Sequence, residues 1–286
     1  MFKKALTINK RTYCKLAILF LYFVICSSAN LKAQGNLVIT PKRVVFEGQK
    51  RSQIINLANI GKDTAQYVVS FIQIRMKDDG TFEQIEVPDP GQKFSDKNLR
   101  IFPRRVTLAP NEAQVVKVQL SQYDKLTPGE YRSHLYFRSV PKEVPLGEKS
   151  SEADSAGVSV RLVPIFGISI PIIIRSGEPT LKVSLSNLKL ETLGSDQILT
   201  ARFNRSGSIS VYGDLTVHHV SNTGKVSQIA LVKGISVYTP NKIRDMRINL
   251  DTKSGVNYRS GKLLVTYTTL TEGKSEKLAT AELSIN

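Results

Sequence analysis

Few residues in this sequence are of the types that most often carry enzyme chemistry. The chain has 286 residues, among which are 3 histidines and 2 cysteines. His218 and His219 are adjacent in a predicted strand, so their side chains point to opposite faces and cannot bind one metal ion together. His134 stands alone in another predicted strand. We therefore expect all the histidines to be ordinary surface or edge-of-core residues.

Motifs for phosphate binding and for nucleophilic catalysis are also missing from the sequence. No glycine-rich loop follows a predicted strand and opens a helix, and no Gly-x-Ser-x-Gly elbow occurs. Carboxylates are numerous, but none forms a spaced pair in apolar surroundings. The sequence therefore predicts a protein that is not an enzyme and that has no catalytic residues, no bound metal and no cofactor.

Both cysteines, Cys14 and Cys26, lie in an N-terminal segment, residues 1–33, that is typical of a secretory signal peptide. Basic residues flank an apolar run at 16–25, which is shorter than the roughly 20 residues that a membrane-spanning helix needs. We predict cleavage before Gln34, secretion across the inner membrane, no stable membrane insertion after cleavage and an exported chain without disulfides. The alternatives are an uncleaved membrane anchor and lipid attachment at Cys26.

The charge balance is strongly basic. Lysine and arginine number 40 against 24 aspartates and glutamates, which gives a formal net charge of +16. These basic residues are spread along predicted strands, and no local block of them is interleaved with aromatic residues as in nucleic-acid-binding segments. We therefore expect no nucleic-acid partner. Most of the charges should be solvated, with a minority available to steer an acidic partner.

Almost the whole chain after Gln34 has the pattern of short β-strands. Apolar residues alternate with polar ones, as in the series Val116, Val118 and Leu120, and turn-forming residues separate the runs. No long amphipathic helix is predicted. Many short strands at this spacing favour an all-β chain built of β-sandwiches.

The length and one change in composition indicate two domains. About 150 residues per domain is a common size, which suggests two domains for this chain. A polar, acidic segment at 142–157 precedes a run of β-branched residues, and residues 175–179 have the composition of a linker. We predict domains at 36–175 and 180–286, each with about seven strands.

A series of segments in the first predicted domain forms an ordered set. They are residues 38–48, 54–59, 99–110, 111–120, 129–137 and 166–175. As a set in this order they resemble the periplasmic pilus-assembly chaperones of the chaperone–usher type. The resemblance covers the first predicted domain and is weak over the second, where only size and strand number agree.

This resemblance implies two immunoglobulin-like domains in tandem and a periplasmic chaperone that caps pilus or fimbrial subunits, with an outer-membrane usher as a further partner. Subunits of this class are sandwiches that lack their last strand, and the chaperone lends its seventh strand to complete them, which is called donor-strand complementation. Val158, Val160 and Leu162 alternate with polar residues, and we predict that they are the apolar anchors of the lent strand. The alternatives are that Val163 and Ile165 face the subunit, or that the first set lines its own domain's core.

The resemblance also implies a basic anchor for the subunit's terminal carboxylate. The matching first-strand residue is Arg43, whose guanidinium offers a fork of donors to a planar carboxylate. Its alternative is a solvent-exposed strand arginine. Better-known members of the family add a lysine late in the seventh strand, but residues 168–174 contain none. Arg105, Arg132 and Arg161 are possible second basic groups, and the sequence does not rank them.

Two other classes of function fit the sequence less well. An exported two-domain structural or adhesin component of a surface fibre would also be an all-β chain, but it would have no strand to lend. A metal-dependent lectin or an enzyme would need site chemistry that the sequence lacks.

Overall fold

Strands and the turns between them account for nearly all of the described chain. The structure is a computed structural model, and it describes residues 37–141, 165–252, 255–271 and 274–285. The helical residues in these ranges are two short 3-10 turns, Asp96–Asn98 and Tyr123–Lys125. None of the helices in the described ranges has the length and apolar character needed to cross a bilayer. The predicted signal peptide lies outside these residues and stays a prediction.

The first half of the described chain contributes ten strands. They are β1 (Leu37–Thr40), β2 (Val44–Phe46), β3 (Ser52–Asn59), β4 (Ala65–Met76), β5 (Phe82–Ile85), β6 (Leu99–Phe102), β7 (Arg105–Leu108), β8 (Ala113–Leu120), β9 (Gly129–Val140) and β10 (Gly167–Ser176).

The second half contributes seven strands. They are β11 (Lys182–Leu193), β12 (Asp196–Ser206), β13 (Val211–Val220), β14 (Val226–Val237), β15 (Ile243–Leu250), β16 (Gly261–Thr271) and β17 (Lys274–Ile285).

The strands β1 to β10 form the first sandwich. One sheet has the order β1-β3-β8-β6, and the other has the order β2-β10-β9-β4-β5 with β7 paired to β4. Strand β2 runs parallel to β10, whereas the other described strand pairs are antiparallel. Side chains from both sheets meet in one apolar core, which includes Phe46, Ile55, Leu57, Leu135 and Phe137.

The strands β11 to β17 form the second sandwich. Its sheets have the orders β11-β12-β15 and β14-β13-β16-β17. A separate apolar core lies between them, and Phe203 and Tyr267 meet there edge to face with ring centroids 5.0 Å apart. This edge-to-face arrangement brings the positive edge of one ring to the negative face of the other.

The predicted alternation explains which residues fill these cores. Val116, Val118 and Leu120 are buried, while Lys117 and Gln119 between them are exposed, because successive side chains of a strand point to opposite faces. The predicted fold class, an all-β chain with two immunoglobulin-like sandwiches, is confirmed. The predicted domain bounds, 36–175 and 180–286, stay a prediction, and residues 37–286 form one structural unit.

Strand β10 is paired along its whole length on one edge but along only part of its length on the other, as far as the described strands show. Strand β9 pairs with β10 from Gly167 to Ser176, but β2 covers the opposite edge only from Ile172 to Ile174. Among the described strands, none pairs with that edge over residues 167–171. With respect to the described strands, this part of β10 therefore has backbone donors and acceptors that could form hydrogen bonds with an added strand.

Candidate functional site

A cavity of about 220 Å³ lies where the first sandwich meets the second. Both sandwiches line it. The first contributes Lys42, Arg43, Phe82, Arg132 and Pro171, and the second contributes Val211, Tyr212, Gly234, Ser236 and Tyr238.

The register of three neighbouring strands brings Arg43 and Arg132 to this cavity. Arg43 immediately precedes β2, whose Val44 lies beside Ile172 of β10. Arg132 of β9 lies opposite Ile173 of the same strand β10. The two arginines are therefore two strands apart in one sheet, although 89 positions of sequence (132 − 43) separate them.

Beside the cavity, one buried carboxylate joins the two sandwiches. Glu130, on β9 and 4% exposed, accepts hydrogen bonds from the backbone amide and the hydroxyl of Ser210 at 2.9 and 2.8 Å. Its other oxygen accepts a hydrogen bond from Nη2 of Arg132 at 2.7 Å. Arg175 approaches the same carboxylate at 3.4 Å and donates to the Ser210 carbonyl at 3.3 Å. We call Glu130, Arg132, Arg175 and Ser210 the Glu130 cluster.

The Glu130 cluster is arranged for an ionised carboxylate. Burial alone would raise the pKa of Glu130, but the charge of Arg132 and the Ser210 amide outweigh it and lower the pKa to about 2. A buried charge is tolerated when it is paired and hydrogen-bonded. Glu130 therefore acts as a structural link between the sandwiches.

The Glu130 cluster provides hydrogen-bond acceptors for only one of the three nitrogens of the Arg132 guanidinium. Its Nη2 donates to Glu130 and, at 2.6 Å, to the Ser210 hydroxyl, but Nε and Nη1 are buried without a hydrogen-bond partner. The guanidinium lies 3.6 Å from the ring centre of Tyr238. Arg132 is 4% exposed and lines the cavity, so it holds donors that an anion could satisfy.

Arg43 is a second cation at the cavity, and none of the described acidic residues forms an ion pair with it. Its guanidinium lies 4.9 Å from the ring centre of Tyr212, and no carboxylate of the described residues comes within ion-pair distance of it. Burial, and then the charges of Arg132 and Arg175, lower the pKa of Arg43 to about 10. A half-buried cation that is held beside other cations would be stabilised by a bound anion.

Two tyrosines of the second sandwich form the aromatic part of the lining. Gly234, at a positive φ of 73°, lies opposite the ring of Tyr212 and donates its amide to Asp214 at 2.9 Å. A Cβ at position 234 would lie 3.2 Å from the Tyr212 hydroxyl. Tyr238 packs against Phe82 with ring centroids 5.6 Å apart.

The β4–β5 hairpin holds Phe82 in this position because it is bonded to the second sandwich. The side-chain amide of Asn241 donates to the Met76 carbonyl at 2.7 Å, and the backbone amide of Asp245 donates to the Asp78 carbonyl at 2.6 Å. Both bonds lie at the end of β4 and in the first part of the turn that leads to Phe82, and they fix the hairpin against the second sandwich.

The candidate residues named from the sequence fall into three groups. The structure brings Arg43 and Arg132 together at the cavity. Arg105 lies elsewhere, on β7, where it is exposed and donates to Gln66 at 3.1 Å. The others, Arg161, Val158, Val160, Leu162 and the alternative Val163, lie outside the described residues and stay predictions.

The histidines are more buried than the sequence suggested. His134 and His219 are both 4% exposed. Burial, and then the charge of Arg132, lower the pKa of His134 to about 3, so this residue is neutral at ordinary pH. His219 is bonded through Nε2 to the Ser260 carbonyl at 2.8 Å. The described residues contain no group of three or more side chains that could bind a metal ion together.

Sequence reasoning missed the residues that surround the two arginines. Glu130, Arg175 and Ser210 were not singled out, nor were the cavity-lining rings Phe82, Tyr212 and Tyr238. One signal was present, because Glu130, Arg132 and His134 alternate along β9 on the face opposite its apolar residues. Polar residues of low exposure on one face of a strand indicate that something covers that face.

No family model matches the sequence, and no curated protein matches it either. Solved structures of fimbrial chaperones do resemble the chain. The YadV chaperone is 14% identical with a TM-score of 0.46, and the alignment covers 87% of this chain and 100% of that chain. A chaperone in a chaperone–tip adhesin complex of CFA/I fimbriae is 13% identical with a TM-score of 0.44, covering 88% and 99%.

A third structure comes from the CsuC-CsuE chaperone–tip subunit pre-assembly complex of the archaic Csu pili of Acinetobacter baumannii. It is 11% identical with a TM-score of 0.43, and the alignment covers 88% of this chain and 100% of that chain. Many of the similar solved structures are therefore pilus chaperones, the class that the sequence motifs resemble.

Proposed function

We propose that this protein is a periplasmic chaperone that holds an unfinished β-sandwich subunit of a pilus or fimbria. The observation that carries the proposal is the juxtaposition in one cavity of Arg43, which forms no ion pair among the described residues, and a partly satisfied Arg132. The guanidinium of Arg43 can present parallel N–H groups to the two oxygens of the carboxylate that ends a polypeptide chain. Arg132, whose Nη2 is already bonded, can add single hydrogen bonds from Nε or Nη1.

The strand next to this cavity supports the same proposal. The edge of β10 that is unpaired among the described strands, residues 167–171, ends beside the segment that holds Arg43. A partner chain that ends in the cavity can therefore continue along this edge and form backbone hydrogen bonds with it, which is the β-augmentation mode of binding.

Apolar side chains at the start of β10 are available to such a partner. Ile165, Phe166 and Ile168 are 47%, 45% and 36% exposed. Phe166 and Ile168 share the alternation of Ile170 and Ile172, which are buried in the first core. We propose that this apolar row continues into the subunit as the lent strand, with Val158, Val160 and Leu162 as its further anchors.

The outer-membrane usher is the second partner in this proposal, as it is for the family that the sequence resembles. Neither an enzymatic step nor a cofactor is required. The lent strand can be exchanged for an extension of another subunit, and the backbone hydrogen bonds lost on release are made again in the fibre.

The proposal is tested by affinity purification of the tagged protein from its native exporting compartment, with mass-spectrometric identification of what is retained. We expect the wild-type chain to retain β-sandwich subunits and the Arg43→Ala variant to lose them while keeping its thermal unfolding temperature. Arg105→Ala is the matched control, since it removes the same charge from an exposed position outside the cavity. Equal retention by Arg43→Ala and wild type would overturn the anchor.

A further inference from the structure

The cavity carries apolar surface as well as donors. Phe82 is 56% exposed and Tyr212 is 44% exposed, and both line the cavity together with Pro171 and Val211. An anion alone would not need such surface. The aromatic rings lie next to the cations, since Arg43 lies over the ring of Tyr212 and Arg132 over the ring of Tyr238.

The covalent structure of a chain end places the side chain of its last residue close to its carboxylate, and therefore close to these rings. A terminal carboxylate is bonded directly to the α-carbon, which also bears the last side chain. If the guanidiniums of Arg43 and Arg132 hold the carboxylate, that side chain must lie within a few bond lengths of them. The lining of the same cavity includes the exposed rings of Phe82 and Tyr212, together with the smaller apolar surface of Pro171 and Val211.

The volume of the cavity fits a ring. An engineered apolar cavity of about 150 Å³ takes up benzene. The cavity here measures about 220 Å³, which leaves room for a carboxylate beside one ring. Aromatic rings are attracted to other rings at offset or edge-on contacts and to guanidiniums over their faces. Both kinds of partner are present in the lining.

We propose that the cavity recognises the last side chain of its partner as well as the carboxylate, and that it selects chains that end in an aromatic residue. The inference rests on the proposed function, because it assumes that a chain terminus enters this cavity. It adds a property to the partner's sequence that the carboxylate anchor does not specify.

Binding of short fluorescent peptides to the full chain, followed by anisotropy, tests the inference. The peptides share one sequence and end in Phe, Leu or Ala with a free carboxylate, and a fourth ends in Phe with an amide. We expect the Phe acid to bind about tenfold more tightly than the Ala acid, with the Leu acid in between. Relative to the Phe acid, the Phe amide should bind more weakly by at least as large a factor as the Ala acid does.

Two variants assign the preference to the lining. Phe82→Ala should reduce the ratio of Phe-acid to Ala-acid affinity to less than about threefold. The matched control is Phe102→Ala, which removes a phenylalanine that is 77% exposed on β6, in the sheet that does not line the cavity. This control should keep the full ratio.

The possible outcomes separate the two proposals. If the acids bind alike while the amide binds weakly, the carboxylate anchor stands and the side-chain inference is overturned. If the Leu acid binds as tightly as the Phe acid, selection for an aromatic residue is likewise overturned. If the amide binds as well as the acid, or no acid binds, the anchor of the proposed function itself is overturned.

Discussion

Two adjacent regions of this protein use arginine in opposite ways. In the Glu130 cluster, a buried carboxylate is surrounded by hydrogen-bond donors from both sandwiches and has a pKa of about 2. In the neighbouring cavity, Arg43 has a ring beneath it but no carboxylate within ion-pair distance among the described residues. In the first region the carboxylate is fully hydrogen-bonded and links the two sandwiches, whereas in the second region the cation lacks an acidic partner among the described residues and suits a ligand.

Arg132 belongs to both regions. Its Nη2 is used inside the Glu130 cluster, while its Nε and Nη1 have no partner. The two regions should therefore respond differently when a charge is removed. Removing a charge from the cluster should affect folding, and removing one from the cavity should affect binding alone.

The largest effect is expected from Arg132→Met. This change leaves the buried carboxylate of Glu130 without its closest cation, and loss of one partner of a buried ion pair typically costs about 3–5 kcal/mol. We expect the free energy of unfolding, measured by urea denaturation, to fall by that amount. Arg105→Met, at an exposed position, should change it by less than about 0.5 kcal/mol. Equal small losses in the two variants would contradict the structural role of the cluster.

Acid should weaken the cluster in a defined pH range. The pKa of Glu130 is about 2 in the folded chain against a usual value of 4.5, so the unfolded chain binds the proton first. Ionised Glu130 therefore contributes roughly 3 kcal/mol to the free energy of unfolding. This contribution is complete above about pH 4.5 and is lost as the pH falls toward 2. Unfolding free energies measured across this range check the expectation. Glu130→Gln should be less stable near neutral pH and should lack this component of the pH dependence; the same dependence in both proteins would contradict it.

The smallest effect on stability is expected from Arg43→Met. Methionine keeps an unbranched apolar stem and removes a half-buried cation that lies near Arg132 and Arg175. We expect the free energy of unfolding to stay constant or to rise by up to about 1 kcal/mol. The same urea titrations measure it. A loss as large as that of Arg132→Met would show that Arg43 holds the fold rather than a ligand.

The sequence predicts the fold well because the two cores depend on local alternation. Val116, Val118 and Leu120 could be assigned to one face from their spacing alone, since a strand has a fixed two-residue period. Arg43 was found through a motif of the first strand. These features need only a few neighbouring residues to be recognised.

The site was less predictable because it depends on how distant segments meet. Glu130 and Ser210 are 80 positions apart, and their hydrogen bond exists only because one sandwich docks on the other. For the same reason the sequence could name Arg132 as a candidate but could not prefer it to Arg105. Phe82 and Tyr238 line one cavity because the β4–β5 hairpin packs against the second sandwich, a contact that the sequence does not reveal.

The decisive experiment is a crystal structure of the full chain in complex with a subunit that it retains. We expect the subunit's terminal carboxylate within hydrogen-bond distance of both Arg43 and Arg132, and a subunit strand paired with residues 167–171 of β10. A complex in which the subunit's end lies away from both arginines, or in which that edge of β10 is closed by the protein's own chain, would contradict it.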